Sequence, residues 1–483
     1  MGIVLKQSFK NVVTTYLGFG IGAINTLFLY THFLEKEYYG LVTFLLSAAN
    51  LIWPLMAFGV HNTLVKFFSS YKTKQEKDKL LNMILLMPLA ISGFLGIIGF
   101  IFYESLLNYF SDDNQLVQPY VWLIFVVAVA TAYFEVFFSW SKVYYQSVFG
   151  NFMKEVFHRV MTSILLICVY LKWMNVEEFI YALVGVYVLR MLIMKVYAFS
   201  LHFPKLSISF PNNKISILKY SSLILLAGSV AMVLLDLDKV MIEAYLPIEN
   251  VAIFAIGIYI ASVIAVPGKA MHQITYPLTA MLLNNRDFEG LKSLYKKSSI
   301  NLLVVSGIIF LLIIGNLRQL YEIIPDAYQI DFSIIVLIAV VKLYDNILGN
   351  NNSILFNSDY YRLVLATGVF LAVLAFVLNL VFIPLFGIYG AALATFIAFA
   401  IYNTAKIAIV YWKFKMHPFS KKTVEILLFI LIFSVGFYFW DFPFHPIINI
   451  LLKSLIIGLG YLFIAFKFHF SEDISDLFSK WKR

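Results

Sequence analysis

The sequence is poor in charged residues and in cysteine. Asp, Glu, Lys and Arg make up 13% of the 483 residues, whereas soluble domains contain about 25%. Because Cys168 is the only cysteine, no disulfide can form within the chain. No G-x-x-x-x-G-K-[ST] loop for ATP, no H-E-x-x-H pair and no cysteine cluster for a metal occurs. We therefore expect no cofactor, no direct ATP hydrolysis and no soluble catalytic domain.

Apolar residues are abundant instead. Hydrophobic residues make up 61% of the chain and aromatic residues 17%. Apolar runs of about 17–25 residues recur along the sequence, and each is long enough to cross a bilayer as a helix. They predict an all-α membrane protein with about 14 transmembrane helices. The predicted spans are residues 12–33, 40–60, 80–104, 118–141, 155–172, 178–200, 217–246, 250–270, 297–317, 331–350, 362–384, 388–411, 424–440 and 446–467.

The basic residues predict the orientation of these spans. Most of the 36 Lys and Arg residues fall in every second connection, and only Lys36, Lys172 and Arg318 fall in the others. Because basic loops stay on the cytoplasmic side, this bias predicts a multi-pass protein with both termini in the cytoplasm. The net charge of +9 is then a topology signal, and we expect no binding to nucleic acid.

A weak internal repeat predicts two halves. An offset of 212 residues aligns Leu34 with Leu246 and Glu37 with Glu249. Because this offset covers six spans, the two copies cross the membrane in the same direction, as in transporters with a substrate site between parallel bundles. The predicted parts are a six-helix bundle at 1–201, a cytoplasmic linker at 202–216, a second six-helix bundle at 217–411, two additional helices within 424–467, and a cytoplasmic tail at 468–483 with a surface helix from residue 471.

One segment carries a family motif. In Leu378–Asn403, LNLVFIPLFGIYGAALATFIAFAIYN, an apolar helix ends at Pro384, Gly387 lies in a short turn, and Gly390 opens a helix that begins Gly-Ala-Ala-Leu-Ala-Thr. This segment resembles the turn between the eleventh and twelfth helices of Wzx-type polysaccharide flippases, members of the multidrug/oligosaccharidyl-lipid/polysaccharide (MOP) exporter superfamily. The stretches KQSFKNVVTTYLGFGIGAINTLFL and LDLDKVMIEAYLPIENVAIFAIGIYIASV are also similar to this family.

The resemblance implies a flippase of the bacterial plasma (inner) membrane. Its cargo would be an undecaprenyl-diphosphate-linked oligosaccharide for polysaccharide or lipopolysaccharide biosynthesis, moved from the cytoplasmic to the outer leaflet by alternating access. The resemblance also implies a monomer, and coupling to a proton or a sodium ion in some members. Three alternatives remain at this point: a MATE-like cation or drug antiporter, a peptidoglycan-precursor (lipid II) flippase, and a membrane polymerase. The short outer loops disfavour the polymerase, and the basic candidate residues disfavour the antiporter.

Charged residues inside the spans are the candidate site. A charge at mid-bilayer costs about 2.5–3.5 kcal/mol, so each charged residue inside a span requires either a functional role or a neutralising partner. The seventh span carries Asp236, Asp238 and Lys239. They are predicted to line a hydrated cavity, where the acids bind a proton or a sodium ion and the lysine meets the diphosphate. The alternative is an ion pair that neutralises itself.

Two further spans carry basic candidates for the diphosphate. Lys342 in the tenth span attracts phosphate as a point charge, or it pairs with Asp345 one turn later. Arg190 in the sixth span has no acid within a turn, and its planar fork can hold phosphate oxygens in a bidentate way. The alternative partner is Glu135 of the fourth span, which is also a candidate for ion coupling. We predict that Arg190, Lys239 and Lys342 converge on one cavity.

The remaining candidates carry open alternatives. Asn25 in the first span either lines the cavity or belongs to a helix contact made by neighbouring small residues. Lys142, Lys154 and Arg159 form either a basic entrance for the headgroup or simply a solvated helix end. Lys453 in the last span is expected to snorkel to the interface or to pack against its neighbours.

Overall fold

The fold is entirely helical in the part of the chain that the structure describes. The computed structural model describes residues 2–105, 107, 115–205, 207 and 209–471. These residues form eighteen α-helices and no strand. The prediction of an all-α membrane protein is therefore confirmed. The predicted surface helix from residue 471 and most of the loop between the third and fourth spans lie outside the described residues.

The first half of the chain begins with a span that contains a short π-helix, and a second π-helix interrupts the fifth span. The π-helices cover Asn25–Leu29 and Met153–Phe157. The α-helices of this half are α1 (Gly2–Ile24), α2 (Tyr30–Phe33), α3 (Lys36–Ala57), α4 (Val60–Phe67), α5 (Lys74–Ile101), α6 (Val121–Val143), α7 (Ser147–Phe152), α8 (His158–Tyr170), α9 (Val176–Leu201) and α10 (Lys214–Tyr245).

The second half contains the longest helices. Its members are α11 (Glu249–Ser262), α12 (Val266–Asn284), α13 (Phe288–Ile323), α14 (Phe332–Ile347), α15 (Asn351–Asn357), α16 (Tyr361–Phe414), α17 (Lys421–Phe439) and α18 (Pro446–Lys467). The pair α14 and α15 is bent by 55° at a short break, where Gly349 has a positive φ of 56°. Glycine is the residue that adopts this backbone conformation at least cost, and here it changes the direction of a span.

Every predicted span falls on helix. Ten helices of the described chain are long and apolar enough to cross a membrane by themselves, and the bent pair α14 and α15 makes an eleventh. The remaining predicted spans lie on α10, on α8 with its preceding π-helix, and on the second part of α16. Hydropathy identifies them because backbone polar groups inside a bilayer must be satisfied within the chain, which favours helices.

Helix α16 contains a sharp turn at the family motif. Gly387 has φ 60° and ψ −140°, a conformation open essentially to glycine alone, and it separates two helices. Gly390 then lies against the backbone of Phe382 and Ile383, where a side chain would not fit. The expectation that the first helix ends at Pro384 is wrong, because the helix continues past this proline and breaks only at Gly387.

The described residues divide into two compact units, Met1–Ile253 and Phe254–Arg483. In the first unit, α6 is buried along most of its length, and residues of α4, α5 and α9 pack with it in one hydrophobic core. In the second unit, α13 packs against both α17 and α18, so the two last helices belong to this unit. The division at residues 201 and 217 that the repeat suggests stays a prediction.

The two segments aligned by the repeat have the same local structure. Leu34 and Leu246 each end a helix in an extended conformation, and the next helix starts at Lys36 or at Glu249. Within the first unit these two turns meet, because Lys36 Nζ lies 3.5 Å from the Glu249 carboxylate. Gly40 lies against the Ile248 carbonyl, which leaves no room for a larger residue.

Candidate functional site

Arg190 is a buried cation in the first unit. It lies on α9, which starts at a capping box between Asn175 and Glu178, and only 5% of its surface is exposed. Its guanidinium carbon lies 4.3 Å from the centre of the Phe134 ring and 4.8 Å from that of Tyr187. Among the described residues it forms no ion pair, and its Nε has no hydrogen-bond partner. The rings stabilise the positive charge, while Nε has no acceptor in the described part of the chain.

The expected alternative partner of Arg190 is engaged elsewhere. Glu135 on α6 is buried, and its carboxylate accepts a hydrogen bond from Lys154 Nζ at 2.6 Å. Lys154 lies in the second π-helix, whose extra residue rotates the following helix by about 100° relative to an uninterrupted one. Glu135 acts on Arg190 only at longer range.

These residues belong to a group of charges with an excess of cations. Arg159 pairs with Glu155 at 3.2 Å, and both lie within electrostatic range of Arg190. Lys142 Nζ lies 3.8 Å from the Phe138 ring and within electrostatic range of Glu135. We call this group the N-terminal basic cluster: Lys142, Lys154, Arg159 and Arg190 with the carboxylates Glu135 and Glu155. The cluster as a whole, with four cations and two carboxylates, has a positive balance, and the charged groups that act on Arg190 itself are Glu135, Glu155 and Arg159.

Asn25 connects the first span to the fifth. It begins the first π-helix and is 3% exposed. Its Nδ2 donates to the Arg159 carbonyl oxygen at 2.8 Å, and its Oδ1 accepts from Ser163 Oγ at 2.6 Å. These bonds support the helix-contact interpretation and hold the helix that carries Arg159. The assignment of Asn25 to substrate binding stays a prediction.

The seventh span forms the ion pair that we considered as its alternative. On α10, Lys239 Nζ lies 2.5 Å from Oδ1 of Asp236, which is three residues earlier in the chain. Both side chains are largely buried. Asp238 is also buried, at 4% exposure. Lys239 is therefore partly neutralised, which weakens its attraction for an anion compared with Arg190. The ion-coupling roles of Asp236 and Asp238 stay predictions.

The tenth span pairs with the twelfth. Asp345 on α14 accepts a hydrogen bond from Lys406 Nζ at 3.3 Å, and Lys406 is 1% exposed. Lys342 Nζ lies 5.2 Å from the Phe399 ring. The start of α14 is fixed by Asp331, which accepts from the Ser333 hydroxyl and amide. These bonds lower the pKa of the Asp331 carboxyl.

The two units hold different candidates. Asn25, Glu135, Arg190, Asp236, Asp238 and Lys239 lie in the first unit, and Lys342 and Asp345 lie in the second. The convergence of Arg190, Lys239 and Lys342 on one cavity stays a prediction. Sequence reasoning missed Lys406 as the partner of Asp345, because 61 residues separate the two positions and no local pattern links them.

The fold matches solved transporters. The structure resembles lipid II flippase MurJ in an inward closed conformation, with a TM-score of 0.72 and 14% identity over 95% of this chain and 98% of that chain. It also resembles a multidrug resistance MATE family transporter of the MOP superfamily, with a TM-score of 0.58 and 13% identity over 86% and 95% of the two chains. A MOP superfamily transporter from Pyrococcus furiosus, described as having a binding pocket of reverse polarity, matches with a TM-score of 0.50 and 13% identity over 86% and 93%.

These likenesses establish the fold. No family model matches the sequence, and a search of curated proteins finds no match. At 12–14% identity, the neighbours share the architecture with this chain rather than its side chains. The chain is thus a multi-pass membrane protein with the fold of MOP superfamily transporters.

Proposed function

We propose that this protein is a flippase for a lipid-linked oligosaccharide whose diphosphate is bound by the N-terminal basic cluster. The cargo moves by alternating access from the cytoplasmic to the outer leaflet of the bacterial inner membrane. The proposal describes a transporter that makes no covalent change in its cargo. Coupling to a proton or a sodium ion at Asp236, Asp238, Asp345 or Glu135 belongs to the same proposal.

The observation that carries the proposal is the state of Arg190. Burying a cation is costly, and proteins normally offset the cost with a carboxylate. Arg190 has aromatic rings on its guanidinium and no ion-pair partner in the described part of the chain. A guanidinium in this state is suited to an anion with two neighbouring oxygens, because its N–H groups form a fixed fork that can hold both. A diphosphate presents such oxygens.

The positive balance of the cluster argues against cationic cargo. A positively charged drug near Arg190, Lys142, Lys154 and Arg159 would meet repulsion, whereas a diphosphate would be attracted. The MurJ neighbour is described as a flippase of lipid II, a peptidoglycan precursor that also carries a diphosphate. The cluster does not distinguish lipid II from other undecaprenyl-diphosphate cargoes, so both must be tested.

The test is transport by the purified protein in liposomes. Fluorescent undecaprenyl-diphosphate oligosaccharide, lipid II and a cationic dye are supplied in separate experiments, and transfer is read from accessibility to an impermeant quencher. Arg190→Gln should slow transfer of the diphosphate cargoes at least about tenfold, since a charge-assisted hydrogen bond contributes about 1.5–3 kcal/mol. Arg190→Lys should retain part of the rate, because it keeps the charge but loses the fork.

The matched control is Lys195→Gln. Lys195 lies on the same helix and is exposed, so this variant changes the charge equally without touching the cluster. It should transfer cargo at the wild-type rate. Transfer by Arg190→Gln at the wild-type rate contradicts the proposal, and export of the cationic dye by the wild-type protein favours the antiporter instead.

A further inference from the structure

The second unit contains a cavity that the proposed function does not use. Its volume is about 520 Å³, within the range of small-ligand sites, about 300–1,000 Å³. It lies where α12, α15 and α16 end and where α13 and α16 begin. These helix ends belong to connections that the distribution of basic residues predicts to be cytoplasmic. The residues that line it are Leu283, Asn284, Arg286, Phe288, Asn357, Ser358, Asp359, Tyr360, Lys413, Phe414 and Lys415.

The charges around this cavity favour an anion. Arg286, Lys413 and Lys415 line it, and Asp359 is the only acid among the described lining residues. None of the three cations forms an ion pair within the described part of the chain. Lys413 Nζ instead lies 4.8 Å from the centre of the Tyr360 ring. The described lining therefore carries three cations and one acid, which leaves it with a net positive charge.

Two of these cations occupy positions where the backbone favours glycine. Arg286 and Lys415 follow the ends of α12 and α16 with φ of 55° and 56°. Helices usually end there with Gly or Asn, which adopt positive φ at little cost. A basic residue near a helix C-terminus interacts favourably with the helix dipole, which explains one cation at each end. The dipoles do not explain why both side chains, together with Lys413, face one cavity.

The start of α16 adds hydrogen-bond donors to the same place. The Tyr360 side chain, which precedes this helix, does not cap it, and the Tyr360 carbonyl oxygen accepts a hydrogen bond from the Leu363 amide at 2.9 Å. Amides at a helix N-terminus favour an anion. Here they lie beside the three cations, and the two features reinforce each other.

Aromatic residues indicate the depth of the cavity. Trp412 is 77% exposed and Tyr411 is 52% exposed, and both precede Lys413 on the last turns of α16. Phe288, on the rim of the cavity, is 49% exposed. Trp and Tyr are enriched at the membrane interface, where lipid headgroups lie. A basic cavity between helix ends at this depth matches the sites that hold anionic headgroups.

We propose that this cavity binds the phosphate group of an anionic phospholipid from the cytoplasmic leaflet. The Arg286 guanidinium holds two phosphate oxygens, and Lys413 and Lys415 act as point charges. Phe288, Tyr360 and Phe414 contact the glycerol and the first carbons of the acyl chains. Binding joins the ends of four helices and stabilises the second unit, because a ligand that binds only the folded state adds stability.

The experiment titrates lipid into the full-length protein in neutral detergent and follows the thermal unfolding midpoint. Phosphatidylglycerol should raise the midpoint, and phosphatidylcholine should leave it unchanged. The half-effect concentration is the concentration of phosphatidylglycerol that gives half of the maximal rise in the midpoint. In Arg286→Gln/Lys413→Gln/Lys415→Gln it should increase at least about tenfold, because each basic residue contributes to attraction of anionic lipid. The matched control, Lys292→Gln/Lys296→Gln/Lys421→Gln, removes three cations of the same unit outside the cavity and should respond as the wild type does.

A single variant tests whether removal of a negative charge strengthens lipid binding. Asp359→Asn removes the acid of the lining and should lower the half-effect concentration of phosphatidylglycerol, a result that does not depend on folding of the triple variant. Soluble glycerol 3-phosphate distinguishes the source of the phosphate. Stabilisation by glycerol 3-phosphate without any response to phosphatidylglycerol overturns the lipid assignment, and an equal response of the triple variant and its control overturns the site. Arg190→Gln should respond as the wild type does, so this test is independent of the proposed cargo.

Discussion

Arg190 of the first unit and two lysines of the second unit are buried in different ways. In the first unit, Arg190 has aromatic neighbours and no ion-pair partner among the described residues. In the second unit, Lys406 pairs with Asp345 at 3.3 Å, and Lys453 pairs with Asp441 at 3.0 Å. All three cations are at most 5% exposed. The difference shows that burial of a charge inside a span is not by itself evidence of function, because the charges of Lys406 and Lys453 are neutralised within the protein.

The Lys453 group shows how a neutralised cation supports the fold. Lys453 on α18 is fully buried and donates to Gln319 Oε1 at 3.3 Å and to Asp441 Oδ1. The other oxygen of Asp441 lies 3.2 Å from Arg318, and Gln319 also donates to this carboxylate. One carboxylate therefore ties the ends of α13 and α17 to α18. This arrangement explains why the two last helices pack with the second unit.

The largest effect is expected from Asp441→Asn. The Asp441 side chain is 31% exposed, but Lys453 is fully buried, so this change leaves a buried cation without a carboxylate, which costs about 3 kcal/mol. Thermal or urea unfolding in detergent should show the loss. In the double variant Asp441→Asn/Lys453→Met, most of the stability should return, because an apolar residue of similar volume replaces the unpaired cation. A double variant as unstable as the single one contradicts the assignment of the loss to Lys453.

A smaller effect is expected from Lys406→Met. The change removes a cation from beside Asp345, but the Asp345 side chain is 40% exposed and can be solvated instead. We therefore expect a loss of about 1 kcal/mol, comparable to one net hydrogen bond, in the same unfolding assay. Tyr402→Leu serves as the control, because it removes the ring beside Lys406 and keeps the ion pair. A loss as large as that of Asp441→Asn would mean that a partly exposed carboxylate left unpaired costs as much as a buried cation left unpaired.

The comparison also shows what the sequence can predict. The spans follow from hydropathy, since lipid leaves the backbone few alternatives to helix. The reversal at Gly387 follows from its glycines, although not the continuation of the helix past Pro384. The partners of the charges do not follow, because Glu135 with Lys154 and Asp345 with Lys406 join different spans. Of the two alternatives expected for Lys453, the structure has packing rather than snorkelling, since Asp441 in the preceding loop lies close enough to pair with it while it stays buried.

The π-helices are a further feature that local patterns do not predict. A π turn needs tertiary contacts to offset its poorer geometry, and such contacts are visible at Asn25 and at Lys154. Both π-helices lie in the spans that flank the N-terminal basic cluster. The geometry of that cluster therefore depends on packing between the first, fourth and fifth spans, which no single segment of sequence specifies.

The smallest change in stability is expected from Arg190→Met. The sign of this change distinguishes a cation without an ion pair from a cation that is paired with a carboxylate. Glu135 and Glu155, the carboxylates within electrostatic range of Arg190, keep their own partners Lys154 and Arg159. The variant therefore removes a desolvated charge and keeps apolar contacts with Phe134 and Tyr187. The unfolding free energy should stay within about 1 kcal/mol of the wild type or increase, while transport of diphosphate cargo is lost. Lys453→Met, a matched change in the second unit, should lower stability instead, because Asp441 loses its buried partner. A loss of several kcal/mol in Arg190→Met would place Arg190 with the structural cations and remove the basis for an anionic cargo.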